Sequence, residues 1–182
     1  MIYGDHKRRK QIRLKDFDYS QSNAYFVTIC TYNRENLFGD IRIDDEVVGA
    51  DSISARMVDD IFQQTIAQYG HVHCPQYVIM PNHFHAIIVI ENPIVWADME
   101  SAPTRVSLCE IIQSFKRHTT IEYIKMVKQG ILPPFDKRIW QRSFYGHIIR
   151  DEQDFYKISE YIENNPSKWE EDRFYMKTEV KT

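Results

Sequence analysis

Cysteine is scarce in this chain: three residues in 182, Cys30, Cys74 and Cys109, odd in number, far apart and without a CxxC pair. They argue against a disulfide framework and read as reduced thiols of a cytoplasmic protein. No apolar run approaches the roughly 18 residues that span a bilayer, because the longest candidate, 77–90, is broken by Pro81, Asn82 and two histidines. No membrane partner is therefore expected. The first ten residues have no apolar core behind their charges and do not read as a secretory signal. An excess of positive charge is missing too. Lys and Arg number 23 against 26 Asp and Glu, a net charge of −3, which removes the global signature of a nucleic-acid binder. Six glycines and seven prolines without any repeat leave neither a fibrous nor a disordered chain.

What remains is a globular chain, 43% hydrophobic and 13% aromatic, long enough to bury one substantial core. Its charge is segregated. Residues 1–20 form a basic amino-terminal arm, in which residues 1–15 hold Lys7, Arg8, Arg9, Lys10, Arg13 and Lys15 against the single acid Asp5. Such an arm suits phosphate contact as well as it suits a solubilising tail. Residues 21–170 read as one domain, and 171–182 as a carboxy-terminal tail. Within the domain, the aromatic and β-branched stretch 24–32 predicts a buried strand. A short second strand is expected over 37–43. Helical spacing of Ile53, Met57, Ile61 and Ile66 predicts a helix over 52–69. Residues 77–80 and 84–90 predict two strands joined by a tight Pro-Asn turn, or one long kinked strand. Ser107 and Glu110 form a capping box for a second helix that ends near Gly130. His147-Ile148-Ile149 predicts another strand, and Asp151 caps a third helix that Pro166 stops. The order β-β-α-β-β-α-β-α predicts an α+β fold, an antiparallel-rich sheet with helices packed on it, of the ferredoxin-like type.

Three groups could carry chemistry. In Pro81-Asn82-His83-Phe84-His85 the strand period of two places both imidazoles on one face and Phe84 on the other, half of a metal site. Two buried histidines suit a hydrogen-bonded core pair equally well. His71, His73 and Cys74 offer a competing zinc-stabilised binding module. On the third helix, Tyr161 and Asn165 are four apart and share a face. A phenol with an ordinary pKa near 10 is a nucleophile only if it or its target is activated, and an amide oxygen suits Mg2+ or Mn2+. A packed tyrosine and a helix cap explain the same pair. Lys116, Arg117, Lys137, Arg138 and Arg142 are local basic groups for DNA. Trp140 and Phe144 are candidate stacking surfaces for unpaired bases, and a buried structural role for the Trp-Gln-Arg block suits the same residues at least as well.

The blocks Tyr-Val-Ile-Met-Pro-Asn-His-Phe-His (77–85), Gln113-Ser114-Phe115-Lys116, Ile-Trp-Gln-Arg-Ser-Phe-Tyr (139–145) and Tyr161-Ile162-x-x-Asn165-Pro166 together resemble the single-tyrosine HUH transposases, in particular the REP-associated tyrosine transposase branch. The resemblance runs in order from Phe26 to about Trp169. It implies an HUH nuclease fold, a divalent ion held by His83, His85 and Asn165, and Tyr161 as the nucleophile on single-stranded or hairpin DNA. It implies a 5′-phosphotyrosine intermediate with a free 3′-hydroxyl, and a cytoplasmic, nucleoid-associated enzyme. A non-catalytic nucleic-acid-binding protein of the same fold is the alternative, and a homodimer that pairs one chain's histidines with the other's tyrosine is compatible with the same residues.

Overall fold

In the computed structural model, residues 17–41, 52–92 and 105–176 are described. The basic residues of the arm, Lys7, Arg8, Arg9, Lys10, Arg13 and Lys15, lie outside them. Among the described residues the strands and α-helices follow in the order β1 (Asn23–Cys30), α1 (Ile53–Ala67), β2 (Val72–Met80), β3 (His83–Ile90), α2 (Leu108–Lys128), β4 (Tyr145–Ile149) and α3 (Glu152–Asn164). The strands form one sheet in the order β2-β3-β1-β4, and every neighbouring pair is antiparallel. This is the β-α-β-β-α-β arrangement expected of a ferredoxin-like fold, with α3 added after it.

Each helix begins on a side chain that takes up an otherwise unpaired backbone N–H. Ser52 accepts from the Ala55 amide at 3.0 Å. The Ser107–Glu110 box is reciprocal, with Ser107 N–H donating to Glu110 Oε2 at 2.8 Å and Glu110 N–H to Ser107 Oγ at 3.2 Å. Asp151 Oδ1 accepts from the Asp154 amide at 2.8 Å and so sets where α3 starts. Gly130, at φ +72°, turns the chain out of α2 in the left-handed region that favours glycine.

The expected strand at 37–43 is not formed in its described part, 37–41. Leu37 and Phe38 make a turn instead. The Phe38 amide donates to the Pro81 carbonyl at 3.0 Å, and its ring is buried against Trp140, so burial of one aromatic replaces strand pairing. The stretch from Tyr77 to Ile90 is a hairpin with a two-residue turn, Pro81-Asn82, rather than a kinked strand. Strand β2 starts earlier than its pattern suggests, at Val72. Its pairing is irregular between His73 and Gln76, where Pro75 has no N–H to donate.

Strand alternation divides the interior in two. Tyr25, Val27, Ile29, Phe84, Ala86 and Ile88 face α1 and α2 and pack with Phe62, Leu108, Ile111 and Phe115. The other face carries Phe26, Val78, Met80 and Ile87, covered by Ile162 of α3 and by Trp169 and Phe174 beyond it. Through Phe174 and Tyr175, then, the expected tail is packed against the sheet. His83 and His85 lie on this second face, fully buried.

The Pro-Asn turn is tied down from several sides. The Asn82 carbonyl accepts from the Thr31 amide at 2.9 Å and the Thr31 hydroxyl at 3.0 Å, while its side-chain amide donates to the carbonyls of Arg34 (3.2 Å) and Phe174 (2.8 Å). Asn82→Ala leaves those two carbonyls and His83 without partners. A loss of about 3 kcal/mol is expected, read from urea unfolding.

Candidate active site

The two histidines are oriented by neighbours that occupy the same ring position in each. Asn82 Oδ1 sits 2.9 Å from His83 Nδ1, and Thr28 Oγ1 sits 2.9 Å from His85 Nδ1. Because the Asn82 amide nitrogen donates to two carbonyls, its oxygen must accept, so His83 carries its proton on Nδ1. That leaves His83 Nε2 as a bare lone pair, buried and without a hydrogen-bond partner. Burial pushes the His83 pKa down to about 4, against the opposing pull of the Asp172 carboxylate. Burial, then the neighbouring His83, puts His85 well below its ordinary value. Both rings are thus neutral at physiological pH, the form that ligates a metal. The outer contacts from Asn82 and Thr28 are of the kind that fixes a ligand's tautomer and aim.

Helix α3 brings the second half. Tyr161 and Asn165 are one turn apart on the side facing the histidines. The Tyr161 hydroxyl lies 3.3 Å from His85 Nε2 and 3.4 Å from Asp172 Oδ2. Its ring packs edge-on against His85 and Phe26, with centroids 5.2 and 6.0 Å away. Burial, reinforced by the Asp172 charge, raises the phenol to about 12. Asn165 is buried. Its Nδ2 donates to Asp172 Oδ2 at 2.8 Å, which turns Oδ1 inward, and that oxygen too has no hydrogen-bond partner. The amide lies close enough to His83 to influence its titration, yet outside hydrogen-bond geometry. Tyr161 remains 40% exposed, on a cleft of about 410 Å3 lined also by Lys157, Asn165, Lys168 and Asp172. The two halves meet within one chain.

Two other tyrosines lie away from the histidines. Tyr156 is 62% exposed, with its hydroxyl toward Glu152, and Tyr123 is buried in the opposite core. Among the described residues, one group of three or more His, Cys, Asp or Glu side chains is close enough to hold an ion, and it is His83, His85 and Asp172. The zinc trio is not brought together: His73 faces Glu91 at 3.4 Å, and the Cys74 thiol turns to the Gln76 carbonyl.

A family model described as IS200-like transposase matches residues 18–165, most of the chain and every one of these site residues except Asp172. The chain belongs to the IS200-like transposase family. It is 34% identical over 178 residues to an uncharacterized protein of Haemophilus influenzae, covering 95% of this chain and 96% of that one. Among solved structures, its fold is similar to that of a REP-associated tyrosine transposase bound to a REP hairpin. The TM-score is 0.55 at 17% identity, over 88% of this chain and 74% of the other. Membership supports a transposase role, and the helices described include none long and apolar enough to cross a membrane.

Within this transposase fold the expected DNA contacts fare unevenly. Trp140 is no stacking platform. It is buried between Phe38 and Phe115 and donates its indole N–H to Thr119 Oγ1 at 2.7 Å. Phe144 is buried as well. The block around Trp140 fastens the end of β1, since Gln141 donates to the carbonyls of Cys30 (2.9 Å) and Thr31 (3.1 Å). Lys116 donates to the Gln141 and Ser143 carbonyls, while Arg117 and Arg142 are exposed. The cations nearest the histidines are others. Arg34 and Arg173 both stack on the Phe174 ring, at 5.0 and 4.6 Å, and both charges weigh on His83. Neither was legible as a site residue, because a lone arginine in a turn or an acidic tail carries no pattern.

The depressed histidines make the metal-free protein acid-sensitive. Below about pH 6.5 an unfolded chain protonates His83 while the folded one resists until about 4, so stability is full above pH 6.5 and is lost as pH falls through that window. In EDTA the urea midpoint is expected to drop between pH 7.5 and 5, and His83→Leu to flatten that drop.

Proposed function

We propose that the chain is a metal-dependent nicking and strand-transfer enzyme for single-stranded or hairpin DNA, acting through Tyr161. The observation that carries this reading is the convergence of the Tyr161 hydroxyl, His85 Nε2, the partnerless His83 Nε2 and the partnerless Asn165 Oδ1, with the buried histidines behind the cleft that Tyr161, Asn165 and Asp172 line. Two neutral imidazoles and an inward-facing amide oxygen fit Mg2+ or Mn2+, which His83, His85 and Asn165 would hold. Such an ion supplies positive charge against the phosphate oxygens as the phosphorane forms.

The chain's own groups do the rest. Tyr161 Oη attacks phosphorus and gives up its proton. The bond from phosphorus to the 3′ oxygen breaks, and that oxygen leaves and is protonated to a free 3′-hydroxyl. The 5′-phosphate stays on Tyr161 as a phosphodiester, so a 3′-hydroxyl can later attack it and restore the phenol without ATP. Edge-on contacts with His85 and Phe26 hold the Tyr161 ring, and its 40% exposure leaves the hydroxyl reachable from the cleft. Arg34, Arg173, Lys157 and Lys168 supply, in a net acidic chain, the local positive charge that a DNA backbone needs. The likeness of fold to a transposase bound to a REP hairpin supports a hairpin as the substrate form.

The test is incubation of the full chain with labelled hairpin-bearing single strands and Mn2+. A covalent protein–DNA adduct and a matching strand with a free 3′-hydroxyl are expected. Retention of DNA without any adduct would establish the non-catalytic binder instead.

A further inference from the structure

Beyond α3 the chain doubles back over the histidines and places an acid, Asp172, that neither strand nor helix periodicity marks. Trp169 and Phe174 lay their rings against His83, with centroids 5.8 and 4.7 Å away. The strap is fixed to the element that carries the histidines, since the Phe174 carbonyl accepts from Asn82, the residue that also holds His83. Arg34 Nη1 donates to the Arg173 carbonyl at 3.0 Å and pins it a second time.

We infer that Asp172 is a further ligand of the same divalent ion, a carboxylate beside His83, His85 and Asn165, so that the carboxy-terminal strap is part of the metal centre. The inference rests on the metal-dependent reading above. Ligand atoms of His83, His85 and Asp172 lie within 4.8 Å of one another. Two atoms at this position, His83 Nε2 and Asn165 Oδ1, are buried with no partner, and an unpaired buried polar atom is costly unless something binds it. The carboxylate itself is held firmly. Its Oδ1 accepts from the Phe174 amide at 2.6 Å and its Oδ2 from Asn165 Nδ2 at 2.8 Å, leaving lone pairs on both oxygens. Charge points the same way. Two neutral imidazoles and an amide form an uncharged donor set, whereas Mg2+ and Mn2+ favour anionic oxygen.

The same carboxylate also orients the Asn165 amide and lies near the Tyr161 hydroxyl, so the test must separate three roles. Mn2+ affinity is measured by calorimetry on the full chain without DNA, for the natural protein, D172N, D172E and H83A, each checked for an unchanged far-UV spectrum. D172N loses the charge and keeps one oxygen, which can accept from the Phe174 amide or from Asn165 but not from both. Its affinity is expected to fall about 10- to 100-fold, with D172E recovering part of the loss and serving as the readout should D172N fail to fold. Affinity within about twofold of the natural protein in D172N would overturn the inference, and affinity weakened equally in D172N and D172E would overturn it in favour of orientation alone. Unchanged affinity with loss of the DNA adduct would overturn it in favour of a role at the Tyr161 hydroxyl. If H83A also leaves Mn2+ binding intact, the metal-dependent reading itself has failed, a result distinguishable from failure of Asp172 alone.

Discussion

Tyr161→Phe is expected to lower adduct formation by on the order of a thousandfold or more, because it removes the only atom of the side chain that can form the bond to phosphorus. The same change should barely disturb the fold. The ring keeps its packing against Phe26 and His85, and the partly exposed hydroxyl makes only long hydrogen bonds, 3.3 and 3.4 Å. A stability change within about 1 kcal/mol follows. DNA retention in a filter assay should persist, since the cations around the cleft are untouched. Tyr156→Phe is the matched control: it sits on the same helix, is largely exposed, and should leave the adduct at its original level. The measurement is a denaturing gel with mass spectrometry of the linked peptide. An adduct that survives Tyr161→Phe would remove the nucleophile assignment whatever the metal does.

The site was legible wherever its geometry is local. A strand repeats every two residues, so His83 and His85 had to share a face. A helix brings residues four apart together, so Tyr161 and Asn165 had to share one. Capping boxes are equally local, and the boundaries of α2 and α3 fell where Ser107 and Asp151 placed them. What joins the two halves is not local. Thr28 faces His85 only because of the register between β1 and β3, which a sequence reading of either strand does not contain. Asp172 stood in an acidic run, Glu170-Glu171-Asp172, of the kind that usually forms a solvated face, and only the packing of Trp169 and Phe174 turns that segment inward. Trp140 left two roles open in the sequence. Its composition suits base stacking, but a partner for its indole N–H on α2 and two aromatic neighbours make it core. The turn at Phe38 has the same origin, because a single buried ring outweighed the strand propensity around it.

Replacing a histidine separates stability from function. In the metal-free chain His83 Nε2 is a buried, unpartnered acceptor, a standing cost of burial. His83→Leu removes that atom and fills most of its space, at the cost of the Nδ1 hydrogen bond with Asn82. The two effects oppose one another, so in EDTA the variant is expected to lie within about 1 kcal/mol of the natural protein, and not to unfold. Added Mn2+ breaks the symmetry. At a hundred times its dissociation constant a ligand that binds only the folded state stabilises it by about 2.7 kcal/mol, a gain open to the natural protein and closed to His83→Leu. Adduct formation should fall by at least about a hundredfold in the variant, since the ion's charge on the phosphate is then lost. Paired thermal melts with and without Mn2+, read beside the adduct assay, give both numbers on one sample. A His83→Leu protein that still gains stability from Mn2+ and still forms the adduct would mean that the two histidines are the polar core pair their sequence equally allowed, held by Asn82 and Thr28 for packing rather than for an ion.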